Sequence, residues 1–314
     1  MNRRLPWWAW IAGVALIVLA ARWVLRFPWR EMGQAVAAAS LPLAGLAALV
    51  NLASFLAKGT AWHLLLRPVA PNRWRTAMSA TLIGAAINNI GVAVTGEAAR
   101  IHVVMQRDRV PLNAAVSSVL WSRITEGIGL AFFVVACTWV MPLPPWVAPI
   151  RMALLAILAL VLLVTIIGGW RRIERWLPAW ARNALAGVAD IGRHGRLALP
   201  VSLGITGWLA EWATYHLSME AVCGHVPLAA SFLALMTANI GGIPRLTPGN
   251  VGILQASFVI GLAPFGISAE RAIAAGLVSQ AIQVFPLMLV AGLAAGSVRW
   301  HDPGLAQNGP TTAG

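Results

Sequence analysis

"ANIGGIPRLTPGNVGILQASF", residues 238–258, interrupts a chain that is otherwise a succession of apolar runs. Gly241, Gly242, Pro244, Pro248, Gly249 and Gly252 break it, with Arg245 between the prolines. The arms on either side, residues 228–243 and 250–264, would each reach only about 22 Å at 1.5 Å per helical residue, short of a hydrocarbon core of about 30 Å. Irregular backbone survives at membrane depth only where protein or a wet cavity satisfies its polar groups. The stretch therefore predicts a re-entrant helical hairpin whose tip lines an interior site.

The rest of the chain supplies the membrane. With 59% hydrophobic residues, 11% charged residues and a mean hydropathy of +0.75 over 314 residues, it carries more apolar surface than one soluble core hides. It reads as an all-α integral membrane protein. Apolar runs of about 20 residues, the length of one span, begin near Trp7, Leu41, Leu112, Val147, Ala198 and Arg271, giving about six full spans. A net charge of +13 would suggest nucleic acid in a soluble protein. Here the arginines sit in short loops, as the positive-inside rule requires, so no nucleic-acid partner is expected. Lys58 is the only lysine, and the weight of Ala, Arg and Trp points to a bacterial source. Cys137 and Cys223 give no disulfide framework and no metal spacing.

Loop charges orient the chain in a bacterial inner membrane. The run from Trp7 lacks a clean small-residue cleavage site, so it reads as an uncleaved first span with a cytoplasmic N-terminus. Residues 67–75, 100–109 and 171–196 are basic and assigned to the cytoplasm, as is the C-terminus after Arg299. Residues 142–149 carry no charge and 223–228 carry only His225; these are assigned outside. Both flanks of 78–106 then lie inside and both flanks of 228–264 outside, which predicts two re-entrant hairpins entering from opposite sides. Arg22, Arg26 and Arg30 run against the rule and are assigned to snorkelling.

Four pairs of short matches run in the same order through the two halves. "WHLL" (62–65) resembles "YHLS" (215–218), "NNIG" (88–91) resembles "ANIG" (238–241), "TGEAARI" (95–101) lies against "PGNVGIL" (248–254), and "LWSRITE" (120–126) against "LVSQAIQ" (277–283). The offsets are 153, 150, 153 and 157 residues. The expected organisation is an N-terminal span with an amphipathic connection (1–40), a first repeat of span, hairpin and span (41–140), a connecting span and basic cytoplasmic loop (141–197), a second repeat (198–298) and a short disordered tail (299–314). Because the first copy starts outside and the second inside, the repeat is inverted, an arrangement whose interrupted segments point to a midplane substrate site. Those segments are Gly91–Arg100 and Gly241–Gly252.

The pair "GEAAR" (96–100) and "IPRLTPGNVGILQA" (243–256) resembles the transmembrane family of lysylphosphatidylglycerol synthases, the lipid-flipping portion of those proteins and its stand-alone relatives, over roughly residues 41–298. That resemblance implies a bacterial inner-membrane protein that moves or handles a lipid. Gly96, Glu97 and Arg100 match the family's G-E-x-x-R, and Pro244, Pro248, Gly249 and Gly252 match its proline-glycine motif. Asn250 stands where the family usually has glycine, and Gln255 where it often has glutamate. The tail leaves no room for an aminoacyl-transferase domain, so lysyl transfer is not expected of this chain.

Individual polar residues carry two readings each. Glu97 and Arg100, three apart on the returning half-helix, are either an interfacial cap and anchor or a buried pair that binds a headgroup or couples protons. Arg123 and Glu126 lie deep in a span, as a self-neutralising clamp or as a phosphate site in which Arg123 offers a bidentate fork. Arg245 either caps the first half-helix or meets a headgroup from outside while Glu97 and Arg100 meet it from inside. Glu211, Tyr215, His216 and Glu220 form a strip, as a polar seam or a proton path through His216, with His63 as the repeat counterpart.

No phosphate-binding loop, H-E-x-x-H, C-x-x-C or G-x-S-x-G pattern occurs, and no metal or cofactor is expected. The reading that results is translocation of an anionic lipid or lipid-linked intermediate through a polar cavity between the two hairpins. Alternatives are a lipid-modifying enzyme with Glu97 or Glu126 as base, and an accessory subunit of an envelope-lipid pathway. Expected partners are membrane lipids; a homo-oligomer and association with envelope-lipid biosynthesis enzymes stay open.

Overall fold

A computed structural model describes residues 29–90, 95–153, 155–156, 197–242 and 250–296. Among them the chain is helical, with no strand. Helix α1 (Trp29–Ala37) is a short amphipathic connector. Helix α2 (Leu41–Leu66) opens with Pro42 in its first turn, where a missing N–H costs nothing. Helices α3 (Trp74–Ile90) and α4 (Thr95–Asp108) form a hairpin. Helix α5 (Leu112–Val140) follows a left-handed turn at Arg109 and the extended Pro111. Another helix starts at Val147 and is described only in part.

The second half opens with α6 (Ala198–Cys223), which ends at Gly224 with φ 76°. After a bend of 116°, α7 (Leu228–Gly242) follows. Helix α8 (Ile253–Leu262) packs against α7 as a second hairpin, and α9 (Ala269–Gly296) closes the fold. The arms contain 15 and 10 residues, hence roughly 22 and 15 Å of helix.

Both hairpins are drawn together by close backbone approach. A Cβ on Gly96 would collide with the Gly84 carbonyl oxygen and the Asn88 carboxamide, and one on Gly84 would collide with Arg100. In the second hairpin a Cβ on Gly261 would come within 2.6 Å of the Ala234 backbone. At the open end of the first hairpin, Asp108 accepts from the Arg73 amide (2.7 Å) and the Thr76 hydroxyl (3.1 Å). A carboxylate at the end of α4 thereby caps the start of α3, satisfying the Arg73 N–H, which has no helical partner, and a first-turn hydroxyl.

The most extensive helix contact joins α2 to α6, and α6 also packs on α5 and α9. Gly129 of α5 and Gly204 of α6 meet there, since a Cβ on Gly129 would lie 3.2 Å from the Gly204 backbone. Small residues allow helices to approach in this way inside a membrane, where no hydrophobic force drives them together. One core surrounds the first hairpin, with Trp62, Leu66, Val103, Val104 and Val119; another surrounds the second, with Phe133, Tyr215, Met219, Phe232, Phe258 and Leu262. Outward faces stay apolar, as at Phe285, Leu289 and Leu293 of α9 and Phe132, Trp139 and Val140 of α5.

Of the six expected spans, α2, α5 and α9 are long and apolar enough to cross a membrane. Helix α6 qualifies in company with α7, because Glu211, His216 and Glu220 dilute its hydropathy. The run from Trp7 lies outside the described residues, and so does most of the run from Val147.

Candidate functional site

The first hairpin delivers Glu97 in the first turn of α4, where a negative charge suits the helix N-terminus. Asn88, near the end of α3, fixes it twice. Its carbonyl oxygen accepts from the Gly96 amide at 3.0 Å and its amide donates to Glu97 Oε2 at 3.3 Å. Glu97 Oε1 meets Arg123 of α5 in an ion pair. Arg123 Nη1 also holds Glu126 Oε2 at 2.9 Å, and the Ser122 hydroxyl donates to Glu126 Oε1 at 3.0 Å. One guanidinium thus bridges two carboxylates and ties the hairpin to α5.

Glu97 and Arg100 do not pair. Arg100 lies on the other side of α4, 6% exposed, with its guanidinium carbon 4.3 Å from the centre of the Trp62 ring. Trp62 is itself held by donating Nε1–H to Ser118 Oγ at 3.1 Å. Arg100 Nε is buried without an acceptor, and no carboxylate among the described residues pairs with this side chain. A cation that is buried without a counter-ion is costly, and stacking on an indole offsets part of that cost.

Glu211 does not run on to His216 and Glu220. It binds Lys58 of α2 at 2.8 Å, and Lys58 also lies over the Trp208 ring. Trp208 Nε1 donates in turn to the Glu126 carbonyl at 2.9 Å. His216 faces Ser231 through Nδ1 at 3.2 Å and Glu220 through Nε2 at 3.6 Å, and Glu220 reaches His225 at 3.7 Å, beside the α6–α7 turn. Two separate polar groups therefore stand where the sequence presents one strip. His63 has its Nδ1 buried without a hydrogen-bond partner among the described residues.

A cavity of about 460 Å³ opens beside the second hairpin. Asn89 from the first hairpin, Glu211 and Tyr215 from α6, Asn239, Gly242 and Asn250 from the second hairpin, and Gln280 and Gln283 from α9 line it. Gln255 braces the hairpin without charge: Oε1 accepts from the Gly252 amide at 2.7 Å, while Nε2 donates to Gln280 Oε1 at 2.8 Å. Gly252 and Asn250 both have positive φ, 85° and 54°, a conformation glycine takes freely and asparagine tolerates. Gly91, Pro244, Arg245, Pro248 and Gly249 fall outside the described residues.

Sequence reasoning missed Lys58, Trp62 and the cavity carboxamides as site residues. Gln280 and Gln283 lie in the matched segment "LVSQAIQ", opposite Arg123 and Glu126 of "LWSRITE". Being uncharged, they did not stand out.

Among the described residues the arrangement offers an ion-paired latch, a buried guanidinium that no carboxylate bonds directly and a cavity lined mainly by neutral polar groups, with no group of three or more metal-ligating side chains. No curated protein matches the chain. The model of the family described as lysylphosphatidylglycerol synthase TM region matches residues 10–291, so the chain belongs to that family and is a multi-pass membrane protein linked to lipid metabolism.

Proposed function

We propose that the protein translocates a lipid with an anionic headgroup across the bacterial inner membrane, with the two helical hairpins forming the walls of the path and the acyl chains remaining in the bilayer. Arg100 carries this reading. It is a buried guanidinium on Trp62 with no carboxylate partner among the described residues, and a phosphate matches its planar fork. Arg123 has a different part. Paired with both Glu97 and Glu126, it serves as a latch that holds α4 against α5 and opens when one carboxylate is protonated or displaced.

The inverted duplication and opposite entry of the hairpins belong to the same proposal. Lys58 pairs with Glu211 across 153 residues, the offset that separates "WHLL" from "YHLS". A residue meeting its own counterpart is what a twofold relation between the halves requires. Both termini then lie in the cytoplasm. The enzyme reading has less support, because Glu97 and Glu126 are both occupied by one guanidinium.

The test is headgroup translocation of fluorescent anionic phospholipids in proteoliposomes, with wild type, Glu97→Ala, Arg100→Ala and Arg245→Ala reconstituted equally. Transfer by wild type that falls at least tenfold in Arg100→Ala is the expected result. A wild-type protein that moves no anionic lipid, or an Arg100→Ala variant that moves it as fast, refutes the proposal.

A further inference from the structure

The cavity beside the second hairpin differs in kind from the latch. Among the described residues its lining holds five carboxamides, Asn89, Asn239, Asn250, Gln280 and Gln283, and one charged group, Glu211. Lys58 neutralises that group at 2.8 Å. We propose that this cavity is a subsite for a neutral polyhydroxylated group, a sugar ring or polyol; where that group is borne by a lipid, the inference rests on the translocation reading above.

Three observations carry it. The first is chemical: a carboxamide offers two donors and an acceptor, which answers a hydroxyl that both donates and accepts. A lining whose described residues carry no net charge once Lys58 is counted gives an ion little to offset its desolvation. A volume of about 460 Å³ also falls in the range of small-molecule sites, about 300–1,000 Å³.

The second is an unmet acceptor. Asn250 Oδ1 is buried and accepts no hydrogen bond among the described residues, although its neighbours are already engaged. Asn239 donates to the Leu235 carbonyl at 2.9 Å and Gln283 to Ser279 Oγ at 3.0 Å. Asparagine holds this place at φ 54°, where glycine would be easier.

The third is the relation to the charged cluster. In the matched segments, Asn250 stands opposite Glu97, Gln280 opposite Arg123 and Gln283 opposite Glu126. The local bonding is repeated as well: Ser122 bonds Glu126 at 3.0 Å and Ser279 bonds Gln283 at 3.0 Å. One constellation is charged and the other is its uncharged equivalent. They adjoin through consecutive residues, since Asn88 holds Glu97 while Asn89 lines the cavity. A headgroup joining an anion to a polyol would therefore find both chemistries in one molecule.

The experiment compares dioleoyl phosphatidylinositol with dioleoyl phosphatidic acid, which share acyl chains and a phosphate but differ in the polyol. Binding to the full chain in detergent is read by native mass spectrometry, with methyl glucoside as the free-solute probe. Asn250→Gly keeps the left-handed backbone, and Gln283→Leu is a second variant of similar size. Unchanged elution on size exclusion and unchanged binding of phosphatidic acid check folding in both. Wild type is expected to prefer phosphatidylinositol at least tenfold, and each variant to bring the two lipids within about twofold. That result assigns the polyol to a lipid. Glucoside binding that the variants abolish, with the two lipids bound alike, assigns it to a free solute. Equal lipid binding together with no variant-sensitive glucoside binding overturns the subsite. Polyol binding of either kind with no lipid moved in proteoliposomes refutes translocation alone, and translocation without polyol preference refutes the subsite alone.

Discussion

Replacing Gly96 with alanine tests how tightly the first hairpin is closed. The added methyl would collide with the Gly84 carbonyl oxygen and the Asn88 carboxamide. The first is backbone and cannot turn aside, while the second is engaged with the Gly96 amide and Glu97. Overpacking of this kind costs about 1–3 kcal/mol, and the gain of alanine over glycine within a helix returns about 0.5–1 kcal/mol. The net loss is up to about 2.5 kcal/mol, and at roughly 2–4 °C per kcal/mol the melting temperature should fall by up to about 10 °C. Gly292→Ala is the control, because nothing lies within 4 Å of its Cβ. It should raise the melting temperature, by up to about 4 °C on the same scale. Thermal unfolding of both variants and wild type in one detergent, followed by tryptophan fluorescence, measures the difference. If Gly96→Ala melts at or above Gly292→Ala, the hairpin arms do not approach as described and the placement of Glu97 loses its support.

Other variants probe the remaining contacts. Lys58→Met or Glu211→Gln alone leaves a largely buried charge without its partner and should cost about 2–3 kcal/mol, while the exchange Lys58→Glu with Glu211→Lys should stay within about 1 kcal/mol of wild type; thermal unfolding of the three proteins decides. Trp62→Leu removes the surface beneath Arg100 and should slow lipid transfer several-fold, an effect not expected of Trp74→Leu, whose indole bonds Thr60 at the periphery. Arg123→Gln frees two carboxylates and should lower the melting temperature more than Glu97→Gln does, since the latter leaves the Glu126 bond in place. Single cysteines made by Thr95→Cys and Val251→Cys should react with impermeant reagent from opposite sides of the membrane; labelling from one side would refute opposite entry.

The helical break was legible because glycine and proline cluster between residues 241 and 252, and the structure places the ends of α7 and α8 within three residues of the arms read from sequence. Repeat matching also singled out the two segments that carry Glu97 (95–101) and Arg123 (120–126). Partner choice was not legible. Spacing of three placed Glu97 beside Arg100 on one helix, but α4 packs so that Arg100 turns to Trp62 of α2 while Glu97 faces α5. Contacts between helices depend on rotation about each axis, which one helix's sequence does not state. The carboxamide cavity was hidden for another reason: its described members come from five helices and the loop before α8, and among them only Glu211 is charged.

The Lys58–Glu211 pair restricts how such a chain can be built. Under the proposed inverted duplication, these two residues, 153 positions apart, occupy the same place in the two copies. Two identical copies would bring lysine to lysine or glutamate to glutamate there. Like charges 4 Å apart repel by about 4 kcal/mol at an effective dielectric constant of about 20. Expressed as separate polypeptides, the halves should therefore assemble as a heterodimer, each rejecting its own twin. Under that proposal, divergence within one chain makes each half the obligate partner of the other.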